Sequence, residues 1–330
     1  MPTYPERGTS GSHGEEPAGT ACLCSPESGG DGSGMNWINA FELLCYAITA
    51  MFLWDVIREK NREELWLFIS AAIAGFALEL LAVRVTDIYH YSPDFYISIG
   101  FKPYQFPFFG GLMWGGLTVY GSRIARQLKL NDFMTALVTG WLIVTMDILL
   151  DVAAIRLDGG FWVWDGRAIT LDITHHMFMS VIWVNFLGYM FETPAMVFIS
   201  LKTAAKRDRM PVWKQLLAAI GIGVCGIAFV GAASGLSLLL NAVTDECFAC
   251  IAFVLLWCFV LVMIFRHCIG VGSRIAPARN WDVPMLIYWA AMYGFSIAAL
   301  VHLGIASAVP VYFLFGIVMC AGTLFLAVRE

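Results

Sequence analysis

Charge is scarce in this chain: Asp, Glu, Lys and Arg make up only 14% of its 330 residues, against 59% hydrophobic, and mean hydropathy is +0.72. A soluble protein can neither expose nor bury so much apolar surface, so water-soluble classes are excluded. Sustained basic runs are also missing. The net charge is −5 and the basic residues fall in small clusters, which excludes nucleic acid as a partner. Paired cysteine knuckles are absent too: of nine cysteines only Cys247 and Cys250 form a CxxC, alone beside Asp245 and Glu246, so no metal site is expected. No internal repeat marks the chain. The segment Met1 to Gly34 has no basic start followed by an apolar stretch, so it does not read as a secretory signal. Rich in Gly, Ser, Pro and Glu, it is expected to be a disordered tail.

What is abundant is apolar sequence in blocks of about 20 residues, the length a helix needs to cross a bilayer core. Nine spans are predicted: Trp37 to Ile57, Leu65 to Thr86, Gln105 to Ile124, Phe133 to Ile155, Met177 to Leu201, Val212 to Leu240, Phe248 to Phe265, Met285 to Leu303 and Val309 to Val328. The expected fold is therefore all-α, a polytopic transmembrane bundle. It divides into the tail at 1–34, a motif-bearing core at 35–205, and four further helices at 206–330 that read as scaffold or partner surface.

Basic residues gather at alternate loops: Arg58, Lys60 and Arg62; Arg123, Arg126 and Lys129; Lys202, Lys206, Arg207 and Arg209; Arg266, Arg274 and Arg279; and Arg329. The other loops carry at most Lys102, or Arg156 with Arg167. The positive-inside rule then predicts a cytoplasmic C-terminus and a tail on the opposite side.

An ionisable side chain within a span costs about 2.5 to 3.5 kcal/mol on insertion scales, so each asks for a reason. Glu79, Asp147, Asp151 and Glu192 stand out. Asp147 and Asp151 are four residues apart, which sets both carboxyls on one helix face. Such a pair suits acid–base chemistry, one member protonated and one ionised, or an interhelical hydrogen bond. Glu79 lies at a similar depth. Arg84 either neutralises one of these acids or snorkels to the interface. The loops DIYHYSPDFY and DGGFWVWDG are dense enough in aromatics to roof a cavity, and Asn185 offers a hydrogen bond to a carboxyl or a water. His175 and His176 read as solvated interface residues. Asp55 is expected near the cytoplasmic end of the first helix, Glu42 near headgroups, and Glu192 at a kink made by Pro194.

Taken in order, LELLAVRVTDIY (Glu79, Arg84, Tyr89), MDILLD (Asp147, Asp151), GFWVW (Gly160 to Trp164) and NFLGY (Asn185 to Tyr189) resemble the membrane carotenoid-biosynthesis family that includes the bacterioruberin-type and γ-carotene hydratases. Pro107 and Trp114 in the third helix fit the same pattern. The resemblance covers about Leu65 to Leu201. It departs at Val152, where the family has Pro, at Ser180, Val181 and Ile182, where it has Gly-Val-Pro, and over Asp165 to Met179, which is rearranged.

The resemblance implies cofactor-free hydration of a terminal isoprenoid double bond, on a lipophilic isoprenoid or carotenoid substrate drawn from membrane lipid, in company with other membrane enzymes of the pathway. Asp147 or Asp151 would give the proton, with Glu79 orienting the water and Asn185 holding it. Tyr89, Trp162 and Trp164 would flank the cation. The same arrangement suits a cyclase. Magnesium-dependent prenyl transfer would need a second acidic motif, which is missing. A proton-coupled transporter or receptor using the acids as a relay is the reading from another class, and a scaffold whose acids only select helix partners is a third.

Overall fold

The computed structural model describes residues 36–85, 89–164, 168–271 and 281–329. The predicted tail with Cys22 and Cys24, and Thr86, Arg167, Arg274 and Arg279, lie outside the described residues. Nine long helices are seen among those described: α1 Trp37–Glu59, α2 Arg62–Val85, α3 Phe108–Gln127, α4 Asp132–Ala154, α5 Trp183–Arg207, α6 Val212–Asn241, α7 Phe248–Val271, α8 Val283–His302 and, after the single turn α9 Ile305–Ala308, α10 Pro310–Ala327. All but α3 are long and apolar enough to cross a membrane. The chain is thus a multi-pass helical bundle, as its hydropathy predicts.

Local chemistry fixes several helix starts. Asn36, Asn131 and Asp282 each accept a hydrogen bond from the backbone N–H three residues on, satisfying a first-turn donor. Pro310 begins α10, where a missing N–H is harmless.

The helices differ from the predicted spans at their ends. The third begins at Phe108, not Gln105, because Phe106–Pro107 (β3) pairs with Ser98–Ile99 (β2). The fifth begins at Trp183, not Met177, because Met177–Phe178 (β5) and Val181–Ile182 (β6) form a hairpin. Met179 and Ser180 at its tip both have positive φ, as the tight two-residue turn demands. Charged ends also extend the helices, so Arg58, Arg62, Arg123, Arg126, Lys202, Lys206, Arg207 and Arg266 are helical rather than loop residues.

Packing centres on α4, which is buried at every residue from Met134 to Ala154. α3, α5, α7, α8 and α10 surround it, and α2 lies against α3, α5 and α6. α3 owes its place to glycines: a Cβ at Gly115 would meet the Phe68 ring of α2 at 2.6 Å. The core expected at 35–205 and the four helices expected at 206–330 pack together in one compact unit. α8 packs against α1 and α4 and contributes the fully buried Tyr288, Trp289 and Tyr293.

A third strand pair, Tyr89–Tyr91 (β1) with Trp162–Trp164 (β4), joins the loops after α2 and α4. Connectivity puts all three short ribbons at the same end of the bundle, at the C-terminal ends of α2 and α4. Arg156 ties this end together, donating to the carbonyls of Val152 (2.5 Å), Thr170 (2.5 Å) and Met179 (3.0 Å).

Candidate functional site

Asp147 and Asp151 share one face of α4, two turns and one turn from its ribbon end. Because α4 is enclosed on all sides, neither carboxyl can snorkel to water. One turn apart on that face and both buried, the two carboxyls disfavour carrying two like charges, which favours a proton on one of them. Asn185 Nδ2 of α5 donates to Asp151 Oδ2 at 2.9 Å. Asp147 Oδ2 is buried and has no hydrogen-bond partner among the described residues.

Glu79 faces this pair from α2, about 9 Å of helix rise below the end of its helix. Among the described residues no cation pairs with it. Tyr89 and Tyr91 donate their hydroxyls to Oε2 at 2.7 and 2.8 Å, and Tyr189 of α5 donates to Oε1 at 3.0 Å. Three such bonds suit an ionised carboxylate, which is acceptor-only. Burial, and next the Glu79 charge, raise the Tyr89 and Tyr91 phenols above their ordinary range, so both remain donors.

The three acids line one cavity of about 320 Å³, large enough for a small ligand or one end of a long one. Its walls are otherwise apolar and aromatic: Phe41, Phe95, Phe106 and Phe109 on one side, Met113 and Trp114 of α3, and Leu150 of α4. The β1–β4 ribbon closes the end. Its register sets Tyr89 against Trp164 and Tyr91 against Trp162, with ring centroids 5.0 and 5.9 Å apart. Trp114 lies against Tyr189 at 4.7 Å.

Of the residues singled out in the sequence, Glu79, Asp147, Asp151, Tyr89, Trp114, Trp162, Trp164 and Asn185 line this one cavity. Asn185 bonds a carboxyl, the first of the two roles open to it. Arg84 is not gathered: it is exposed at the end of α2 and pairs with none of the three acids. Five residues separate it from Glu79, which turns it about 140° around the helix. Tyr91 and Tyr189, which also bond Glu79, are not among the residues singled out in the sequence. Both stand within quoted segments, DIYHY and NFLGY, but nothing local says that they converge on one carboxylate.

Other polar residues find separate settings. Glu42 does not reach headgroups. It is fully buried, and its carboxyl accepts from the backbone N–H groups of Tyr96 (2.6 Å) and Ile97 (2.9 Å) and from the Tyr46 hydroxyl, pinning a loop to α1. Asp55 belongs to a cluster on Arg123 of α3, which also holds Glu59, Glu64 and Asp282 at 2.5 to 3.2 Å. Glu192 is buried with Oε2 unpartnered among the described residues, and Pro194 fits against Gly140 of α4. His176 pairs with Glu246 in the loop after α6. Cys247 and Cys250 are not joined to each other or to any described cysteine.

Fold and site define a multi-pass helical membrane protein with a buried, acid-lined aromatic cavity. No protein-family model, curated protein or solved structure matches the chain.

Proposed function

We propose that the chain is an integral membrane enzyme of isoprenoid or carotenoid metabolism that adds water to a terminal isoprenoid double bond. The observation that carries this reading is the placement, in one cavity, of the paired Asp147 and Asp151 carboxyls with a Glu79 carboxyl held by three phenols. A dyad sharing one proton can release it, and a nearby fixed carboxylate favours the positive charge that results.

The protonated member of the dyad gives its proton to the less substituted carbon of the double bond. The π electrons form the new C–H bond and leave a tertiary cation. Trp114, Trp162, Trp164 and Tyr89 present ring faces or edges around that cation, and the apolar walls keep stray water away. One water then adds to the cation, and its surplus proton returns to the dyad, directly or by way of Glu79, restoring the starting protonation. The net change is one water added across one double bond, with no cofactor or metal. Asn185 fixes the orientation of Asp151.

The resemblance over Leu65 to Leu201 supports the same chemistry. The positive-inside count sets the ribbon end, and hence the cavity, toward the non-cytoplasmic side, with the C-terminus cytoplasmic.

Expression in a host that accumulates lycopene, with an Asp151→Asn control, tests the reading by mass spectrometry of the pigments. A product heavier by one water that the control abolishes is expected. A product of unchanged mass but new retention time would mean cyclisation, and unchanged pigment would overturn the assignment to this substrate class.

A further inference from the structure

The cavity is not sealed on every side. Most of its wall is buried, yet Gly231 and Leu238 of α6 line it and are exposed, while Ser234 of α6 and Leu78 and Ala82 of α2 line it half-buried. The gap follows from how α6 lies across its neighbours. Near its start α6 is pressed onto α2, where a Cβ at Gly223 would meet the Ser70 carbonyl oxygen at 2.7 Å. Farther along it is pressed onto α5, where a Cβ at Gly188 would meet Ser234 Oγ at 2.9 Å. At Gly231, about 12 Å of rise beyond Gly223, nothing stands within 4 Å of the Cβ position.

The outside of this gap is lipid-facing. Leu81 and Val85 of α2 and Leu236 and Leu239 of α6 are exposed by 53%, 71%, 56% and 70%, and the exposed charge beside them is Arg84 in the last turn of α2. The inside holds the buried Asp147 Oδ2 that no described residue satisfies, so the opening leads from an apolar exterior to an unpaired polar atom.

We propose that the opening between α2 and α6 is a lateral portal through which a long apolar chain enters the cavity from the bilayer, and that Gly231 sets its width. The inference rests on the isoprenoid reading for the class of its occupant. A cavity of about 320 Å³ takes only the end of a long polyene, so the rest of the chain must stay in the portal and the lipid beyond it. Gly231 lacks the side chain that would cross this path, and Ser234 and Ala82 are small.

The test uses the full chain in phospholipid vesicles with a geranylgeraniol analogue carrying a diazirine at its terminal isoprene unit. Photolabelled peptides are mapped by mass spectrometry in three proteins: unaltered, Gly231→Trp and Gly235→Trp. Gly235 is exposed and equally uncrowded on the same helix but does not line the cavity. Label on the Trp114 and Tyr189 peptides is expected to fall at least five-fold in Gly231→Trp and to be unchanged in Gly235→Trp, with both variants melting near the unaltered protein. Equal labelling of cavity peptides in Gly231→Trp would overturn the portal. Strong, portal-dependent labelling of a protein that leaves lycopene unchanged would uphold the portal while the hydratase reading fails.

Discussion

The two ends of the bundle treat buried acids in opposite ways. At the end away from the ribbons, Asp55, Glu59, Glu64 and Asp282 surround the single guanidinium of Arg123, with Arg58 adding a second cation to Asp55. That cluster draws α1, α2, α3 and the cap of α8 together, and its charges are answered by charge. At the ribbon end, the partners of Glu79, Asp147 and Asp151 among the described residues are phenols and an amide. Ion pairs of the first kind hold helices in register. Carboxyls of the second kind, on the function proposed above, hold a proton beside an apolar space for transfer to a hydrocarbon.

The largest effect should come from breaking the first cluster. Arg123→Met leaves Asp55, Glu64 and Asp282 facing each other without their shared cation, and loss of one partner of a buried pair costs about 3–5 kcal/mol. Thermal unfolding in detergent should show a lowered midpoint and a poor yield of folded protein. If this variant melts like the unaltered chain, the cluster is no clamp.

Next in size is the dyad. Asp147→Asn keeps the shape of the side chain but removes the ionisable partner of Asp151. The rate of product formation should drop by about 100-fold or more, within the range for loss of a general acid, with little change in melting. A fall in both together would make the ribbon-end acids structural like those around Arg123.

The smallest effect belongs to the phenols. Tyr189→Phe withdraws one of three donors from Glu79, and a hydrogen bond to a charged group is worth about 1.5–3 kcal/mol. With two donors left, a loss of activity of about ten-fold is expected, read as initial rate in vesicles. An unaltered rate would show that Glu79 acts without its cradle.

Much of this was legible beforehand because membrane helices obey simple periodicities. The four-residue spacing of Asp147 and Asp151 set a common face, whereas the burial of α4 from Met134 to Ala154 was not legible, because the more apolar α7 is left largely exposed. Arg84 shows a signal that was present but overridden: five residues from Glu79 is the wrong angle, even though the depth agrees. The convergence of Tyr89, Tyr91 and Tyr189 was beyond reach, because it depends on a strand register between residues some 70 positions apart and on the crossing of α2 with α5. Glu42 was misplaced for a related reason. Its partners are backbone N–H groups of a loop that folds back over α1, and backbone geometry leaves no mark in side-chain patterns.

The central claim is that the ribbon-end acids add water to a double bond. It is tested most directly by incubating the protein in lycopene-loaded vesicles made up in water enriched in heavy oxygen, then measuring the isotope in the pigment. The account predicts one heavy oxygen atom per modified end, lost in Asp147→Asn. Pigment that changes without gaining the isotope, or does not change at all, would contradict it.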